Sequence, residues 1–194
     1  LNNDDNIVVY DNSDVISSCR CWYNFIYFGH NPNLVHVLDG GLKKWIEEGK
    51  FTTDKITQTN FSRYIAKENK ELVKTKLQID NNILNKNFIV IDARSKDRFE
   101  GKAKEPRKGL RSGSIPSSFC IPFNELINND HSFKSTNELS DIFKKTLGDN
   151  MSLNVVFSCG SGVTASVLAL AYSLINNKYM PVVYDGSWAE YGRS

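Results

Sequence analysis

Cys159 stands at one end of an apolar run, "NVVFS" (154–158), and at the head of a loop with glycines at 160 and 162; a second apolar run, "TASVLALAYSLI", follows from Thr164 to Ile175. The first run reads as a buried strand and the second as a helix. A loop joining a parallel strand to a helix turns successive backbone N–H groups toward one point, at the edge of the sheet where open α/β folds hold their ligands. Gly160 and Gly162 let that backbone curl without a Cβ penalty. The helix from about Thr164 adds partial positive charge at its N-terminus. Together these form an anion nest around the sulfur of Cys159. Such a setting lowers a thiol from its free value of about 8.5 and supplies thiolate at neutral pH. It suits a persulfide equally well, because that group is also anionic. The chemistry implied is nucleophilic and covalent.

The other three cysteines lack these surroundings. Cys19 and Cys21 form C-x-C on a predicted helix with no second ligand pair, so no metal site is expected. Cys120, in "SFCIPF", is expected to be a small core residue. A phosphatase on a related fold needs an arginine six residues after its cysteine to clamp the oxyanion, and that position is Ala165.

Stepping outward, 194 residues suit one large domain or two small ones. Hydrophobic residues at 40% and charged residues at 24% supply a real core. The formal net charge of +2 implies no nucleic-acid partner, and no apolar run reaches the roughly 18 residues that span a bilayer. "LNNDDN" at the start is neither an initiator methionine nor a signal peptide, so a fragment or processed form is expected.

"NIVVYD" and "LVHVLDGG" read as strands, with "SSCRCWYNFIYFG" and "LKKWIEEG" as helices. Residues 50–82 are polar, without period, and carry at most one short helix near Glu71–Ile79. Beyond them come strands at "NFIVIDAR", "FCIPF", "LNVVFS" and "PVVYD", and helices at "SKDRFEG", "STNELSDIFKKTL", 164–175 and "GSWAEYG". Strands alternating with helices imply a parallel α/β sheet covered on both faces. "VVYD…VHVLDGGLKKW" is echoed by "VVFSC…PVVYDGSWAEY", at an offset of 147 residues for Val8 and Val155 and 146 for Asp39 and Asp185. Two related domains are therefore expected: 1–65, lacking its first strands, then a linker at 66–82, then 83–194. Missing strands would leave an unpaired sheet edge, so either a longer natural polypeptide or another segment that completes the sheet is expected.

"CGSGVT" (159–164) resembles the active-site loop of the 3-mercaptopyruvate sulfurtransferases, in the rhodanese superfamily. "DARSKDRFEGKAKEPR", "GSIPSSFCIPF", "YDGSWAEY" and "FGH…VLDGGLKKW" fit the same family. The resemblance implies a rhodanese-like fold of two related domains, with the cysteine only in the second. "YDNSD" at 10–14, the matching loop of the first copy, indeed has none.

From the resemblance follow the site residues. Cys159 would carry the sulfur and Ser161 would assist it. Arg98 and Arg107 would bind the substrate carboxylate, and Gly160, Gly162, Val163 and Thr164 would complete the binding loop. Guanidinium forks suit a carboxylate beside a keto oxygen. Arg94 is expected to brace the fold by pairing with Glu100 or Asp97, and Arg111 has no assigned role. Thiosulfate-preferring relatives place two cations directly after the cysteine; Gly160 and Ser161 are neutral, which fits a less charged donor. The family's Asp and His partners of the loop serine would precede Leu1. No cofactor or metal is implied. The expected partners are 3-mercaptopyruvate and a thiol acceptor such as thioredoxin, with hydrogen sulfide as a product, and the expected compartment is cytoplasm or mitochondrion. The alternatives are thiosulfate:cyanide sulfur transfer and a non-catalytic rhodanese binding module.

Overall fold

The computed structural model describes residues 1–148, 151 and 154–193. Two short β-branched runs, β1 (Ile7–Val9) and β2 (Val35–Val37), pair in parallel, with Ile7 opposite Val35 and Val9 opposite Val37. Helix α1 (Ser18–Tyr27) connects them, and α2 (Gly41–Glu47) follows. Val8 points away from α1 into a groove of about 620 Å³ that Tyr10, Trp45 and Ile46 also line.

The second sheet contains β3 (Val73–Lys74), β4 (Ile89–Asp92), β5 (Phe119–Cys120), β6 (Val155–Ser158) and β7 (Val182–Tyr184). Its order is β3-β7-β6-β4-β5 and every pair is parallel. The helices are α3 (Lys76–Asn85), α4 (Lys96–Phe99), α5 (Thr136–Leu147), α6 (Ala165–Ile175) and α7 (Ser187–Tyr191). Alternation along the central strand sorts the core into two layers. Val155 and Phe157 pack with Leu139, Phe143, Leu168 and Tyr172 from α5 and α6. Val156 packs on the opposite face with Ile79, Trp188 and Tyr191 from α3 and α7. Both faces are thus covered, as the alternating pattern requires.

Helix α6 is buried on almost every side, and the reason is its second neighbour. One flank meets the sheet; the other meets α1, whose Trp22, Tyr23 and Ile26 join the same core cluster. The first half is therefore fused to the half that carries Cys159 through continuous apolar packing. Cys19 lies in a small core cluster with Val167 of α6, while Cys21, two positions on, faces solvent.

The boundary between the halves differs from the expected linker at 66–82. Lys67 and Asn69 donate backbone bonds to Phe28 and Tyr27, tying the strap to the end of α1. Val73 and Lys74 pair with Val183 and Tyr184, so the second sheet begins before the expected position 83. Helix α3 starts at Lys76, where Thr75 and Gln78 form a reciprocal capping box. Only Ile79 of α3 is buried, which explains why no hydrophobic period marked it.

Leu168 is 0% exposed in this shared core. Leu168→Ala is expected to destabilise the protein by about 2–5 kcal/mol in denaturant unfolding. A loss below about half a kcal/mol would show that α1, α6 and the sheet do not share one packed interior.

Candidate active site

Strands β4 and β6 lie side by side with Asp92 opposite Ser158, so the segments that follow them leave the sheet at the same edge. One carries Arg94, Arg98 and the loop to Arg107; the other carries Cys159. Their convergence is a consequence of strand order.

The Cys159 sulfur accepts hydrogen bonds from the backbone N–H of Gly162 at 3.1 Å and of Ser161 at 3.4 Å. These loop amides are the donors to sulfur; the first N–H groups of α6 do not contribute, because Ser166 and Val167 donate to the carbonyls of Val163 and Thr164. Among the described residues, the amides of Gly160, Val163 and Thr164 have no acceptor. The loop is held from behind by α7. Trp188 N–H donates to the Cys159 carbonyl and Ala189 N–H to that of Gly160, both at 2.9 Å. Ser187 is buried with φ +49°, a costly left-handed conformation for a residue with a side chain. In that pose its hydroxyl accepts from Cys159 N–H at 3.1 Å and donates to the Tyr184 carbonyl at 2.8 Å.

Of the two loop glycines, Gly162 is the one the backbone requires. Gly162 has φ +82°, and a Cβ there would sit 2.6 Å from the Asp185 carboxylate and 2.7 Å from Arg20 Nη1. A Cβ on Gly160 would stand 3.2 Å from Arg98 Nη2. Arg98 therefore lies directly over the loop.

A cavity of about 260 Å³ opens beside the sulfur. Of the residues expected at the site, Cys159, Gly160, Ser161, Val163, Thr164, Arg98 and Arg107 line it; Gly162 lies behind them, buried, with its N–H on the sulfur. Glu105, Pro106, Leu110 and, from the first half, Val15 complete the wall. These four were not foreseen. Glu105 and Pro106 stand beside Arg107 in "EPR", whereas nothing local links Val15 to the loop.

The arginines form a chain of ion pairs. Arg94 does not meet Glu100 or Asp97 as expected; its guanidinium bonds Asp92 at 2.7 Å and Glu105 at 2.7 Å, and all three side chains are 1–2% exposed. Its guanidinium also stacks over Trp188 at 4.4 Å. Asp97 of α4 and Glu100 just after it are exposed, and Glu100 pairs with Lys102 instead. Arg98 gives Nη2 and Nε to Glu105 at 2.5 and 3.2 Å. Burial pushes the Glu105 carboxyl up, but bonds and charge from Arg98 and Arg94 hold it below its ordinary value. Asp92, Arg94, Glu105 and Arg98 thus neutralise one another. Arg107 has no ion pair among the described residues and keeps its full charge at the rim. Arg111 is absorbed by aromatic stacking on Trp188 at 4.7 Å and Tyr191 at 5.3 Å.

The remaining thiols differ in kind. Cys120 is half-buried, not a core residue, and donates to the Arg94 carbonyl at 3.4 Å. Burial pushes its thiol up to about 12, and burial raises the Cys19 thiol further still. Among the described residues no group of three or more His, Cys, Asp or Glu is arranged to hold a metal.

A model of the rhodanese-like domain family matches residues 1–48 and 75–194. The 3-mercaptopyruvate sulfurtransferase of Mus musculus is 37% identical over 187 residues, covering 95% of this chain and 62% of that protein. The mitochondrial thiosulfate/3-mercaptopyruvate sulfurtransferase 1 of Arabidopsis thaliana is 37% identical over 214 residues, at 98% and 55% coverage. The thiosulfate sulfurtransferase of Rattus norvegicus is also 37% identical, at 100% and 65%. The chain spans 55–65% of the length of these curated relatives. Among solved structures, the 3-mercaptopyruvate sulfotransferase SseA of Escherichia coli superposes with a TM-score of 0.79 at 30% identity, covering 97% of this chain and 68% of that one.

The ion-pair chain makes its own test. Glu105 titrates below 4.5 in the folded protein, so its pairing contributes fully above that value and is lost as pH falls through the lower folded one. Glu105→Gln should melt well below wild type at neutral pH, with the gap closing in acid below about pH 4.5. Melting curves that stay equally separated at every pH would contradict the pairing.

Proposed function

Because the chain belongs to the rhodanese-like family, with the family model spanning most of it, we propose that it is a sulfurtransferase that moves the sulfur of 3-mercaptopyruvate through a persulfide on Cys159. The observation that carries this reading is the pair of amides aimed at a sulfur that borders an open cavity.

In the proposed first half-reaction the Cys159 thiolate attacks the donor sulfur. The donor's C–S bond breaks and its electron pair leaves with pyruvate enolate, which takes up a proton to become pyruvate. The enzyme keeps one added sulfur. Ser161 and Gly162 N–H stabilise the anion before and after transfer. Arg107, carrying its charge at the rim, takes the donor carboxylate, with Arg98 bridging from Glu105 to the neighbouring oxygen. The acceptor-free amides of Val163 and Thr164 extend the same binding surface. Ser161 borders the cavity and is suited to hand a proton to or from the donor. In the second half-reaction a thiol such as thioredoxin takes the outer sulfur as its own persulfide, and a second thiol then forms a disulfide with it and releases hydrogen sulfide; cyanide takes the sulfur instead as thiocyanate. The action in cytoplasm or mitochondrion belongs to the same proposal; among the described residues no helix is long and apolar enough to cross a membrane.

The equal similarity to a thiosulfate sulfurtransferase supports a second reading, thiosulfate:cyanide transfer. The neutral Gly160 and Ser161, and the neutralisation of Arg98 by Glu105, argue for a donor with a single carboxylate.

Brief exposure to 3-mercaptopyruvate should add about 32 Da, the mass of one sulfur atom, to the protein and nothing to Cys159→Ser. Equal gains in both proteins would move the reaction elsewhere. In steady state, Arg107→Ala should raise KM for 3-mercaptopyruvate by about tenfold or more and that for an uncharged persulfide donor little. Thiosulfate with the higher kcat/KM would reverse the donor assignment.

A further inference from the structure

The first half contributes more than packing to the sulfur loop. Arg20, in the first turn of α1, lies across the seam between the halves, with its guanidinium over the Tyr23 ring at 5.5 Å. Its Nη1 donates to the Gly162 carbonyl at 3.4 Å and also pairs with the carboxylate of Asp185, the residue that follows β7. The Gly162 carbonyl accepts from Ser166 Oγ at 3.1 Å as well. On the other side of the same residue, Gly162 N–H donates to the Cys159 sulfur at 3.1 Å. A Cβ on Gly162 would strike both Asp185 and Arg20, so the pair grips the bare backbone.

We propose that Arg20, held by Asp185, is a positioning residue for the sulfur site: it fixes the Gly162 carbonyl and thereby keeps the Gly162 N–H aimed at Cys159. Rotation of either peptide flanking Gly162 breaks the hold on one side or the bond to sulfur on the other. Arg20 is not among the residues lining the cavity, so it acts through Gly162 and not on the donor. Its charge is balanced by Asp185; its contribution is therefore directional. The inference rests on the proposed role of Cys159.

The test does not depend on any sulfur donor. Alkylation of Cys159 by iodoacetamide is followed at neutral pH and in strong alkali, where an ordinary thiol is ionised, with attachment located by mass spectrometry. Removing the hold costs the thiolate a well-aimed amide, so Arg20→Ala lowers the neutral-to-alkaline rate ratio by about tenfold. Arg20→Lys keeps a cation opposite Asp185 but replaces the planar guanidinium with an ammonium of no fixed direction and loses less, about threefold. If Arg20→Ala does not fold, Arg20→Lys carries the comparison. A ratio unchanged from wild type overturns the proposal, even where the melting temperature falls. Failure of the sulfur-transfer reading looks different: wild type then gains no sulfur from 3-mercaptopyruvate, while the alkylation ratio still reports on Arg20.

Discussion

Two backbone N–H groups, those of Ser161 and Gly162, point at the buried sulfur of Cys159, and the anion that the proposed reaction requires depends on them. Everything nearby serves that turn of chain. Gly162 adopts a left-handed conformation that leaves no room for a side chain, Ser187 accepts backbone strain to bond the Cys159 amide, and the first amides of α7 tie down the carbonyls of Cys159 and Gly160. Fixed dipoles of this kind stabilise charge without having to reorganise when, in the proposed reaction, it moves from thiolate to persulfide. The parallel sheet supplies the platform, since β6 ends at its centre and β4 ends beside it.

The charges around the pocket follow a second rule: a buried ion must be compensated. Arg94 and Glu105 are almost fully buried, and the alternation Asp92–Arg94–Glu105–Arg98 leaves no uncompensated charge among them. The chain is rigid because each guanidinium contacts two or more acceptors. Arg98 is thereby oriented over Gly160 at the expense of its net field. Among the described residues that line the cavity, the cation without an ion pair is Arg107, on the exposed part of the same loop. In the proposed reaction, positioning and attraction are thus divided between two arginines that look alike in the sequence.

The loop itself was legible because it is local: a strand, a cysteine, two glycines and a helix are adjacent in the chain. The strand-helix alternation and the echo between the halves were legible for the same reason. What sequence reasoning missed depends on contacts across distance or on weak patterns. Arg94 was assigned to Asp97 or Glu100, its neighbours downstream, because nothing in "DAR" shows that the side chain folds back on Asp92. Glu105 lies eleven residues from Arg94 and joins it only when the loop closes. Arg20 and Gly162 are separated by 142 residues. Helix α3 buries one apolar side chain, so its capping box was the signal to read, and hydrophobic period was the wrong one.

The direct measurement of the central claim is the amide-proton NMR spectrum of the protein before and after one sulfur is loaded onto Cys159. Hydrogen bonds to an anionic sulfur move a donor's proton resonance downfield, so Ser161 and Gly162 should shift further than any other amides, with Cys159→Ser as the unchanged control. Loading confirmed by mass, with those two resonances in place, would contradict the account.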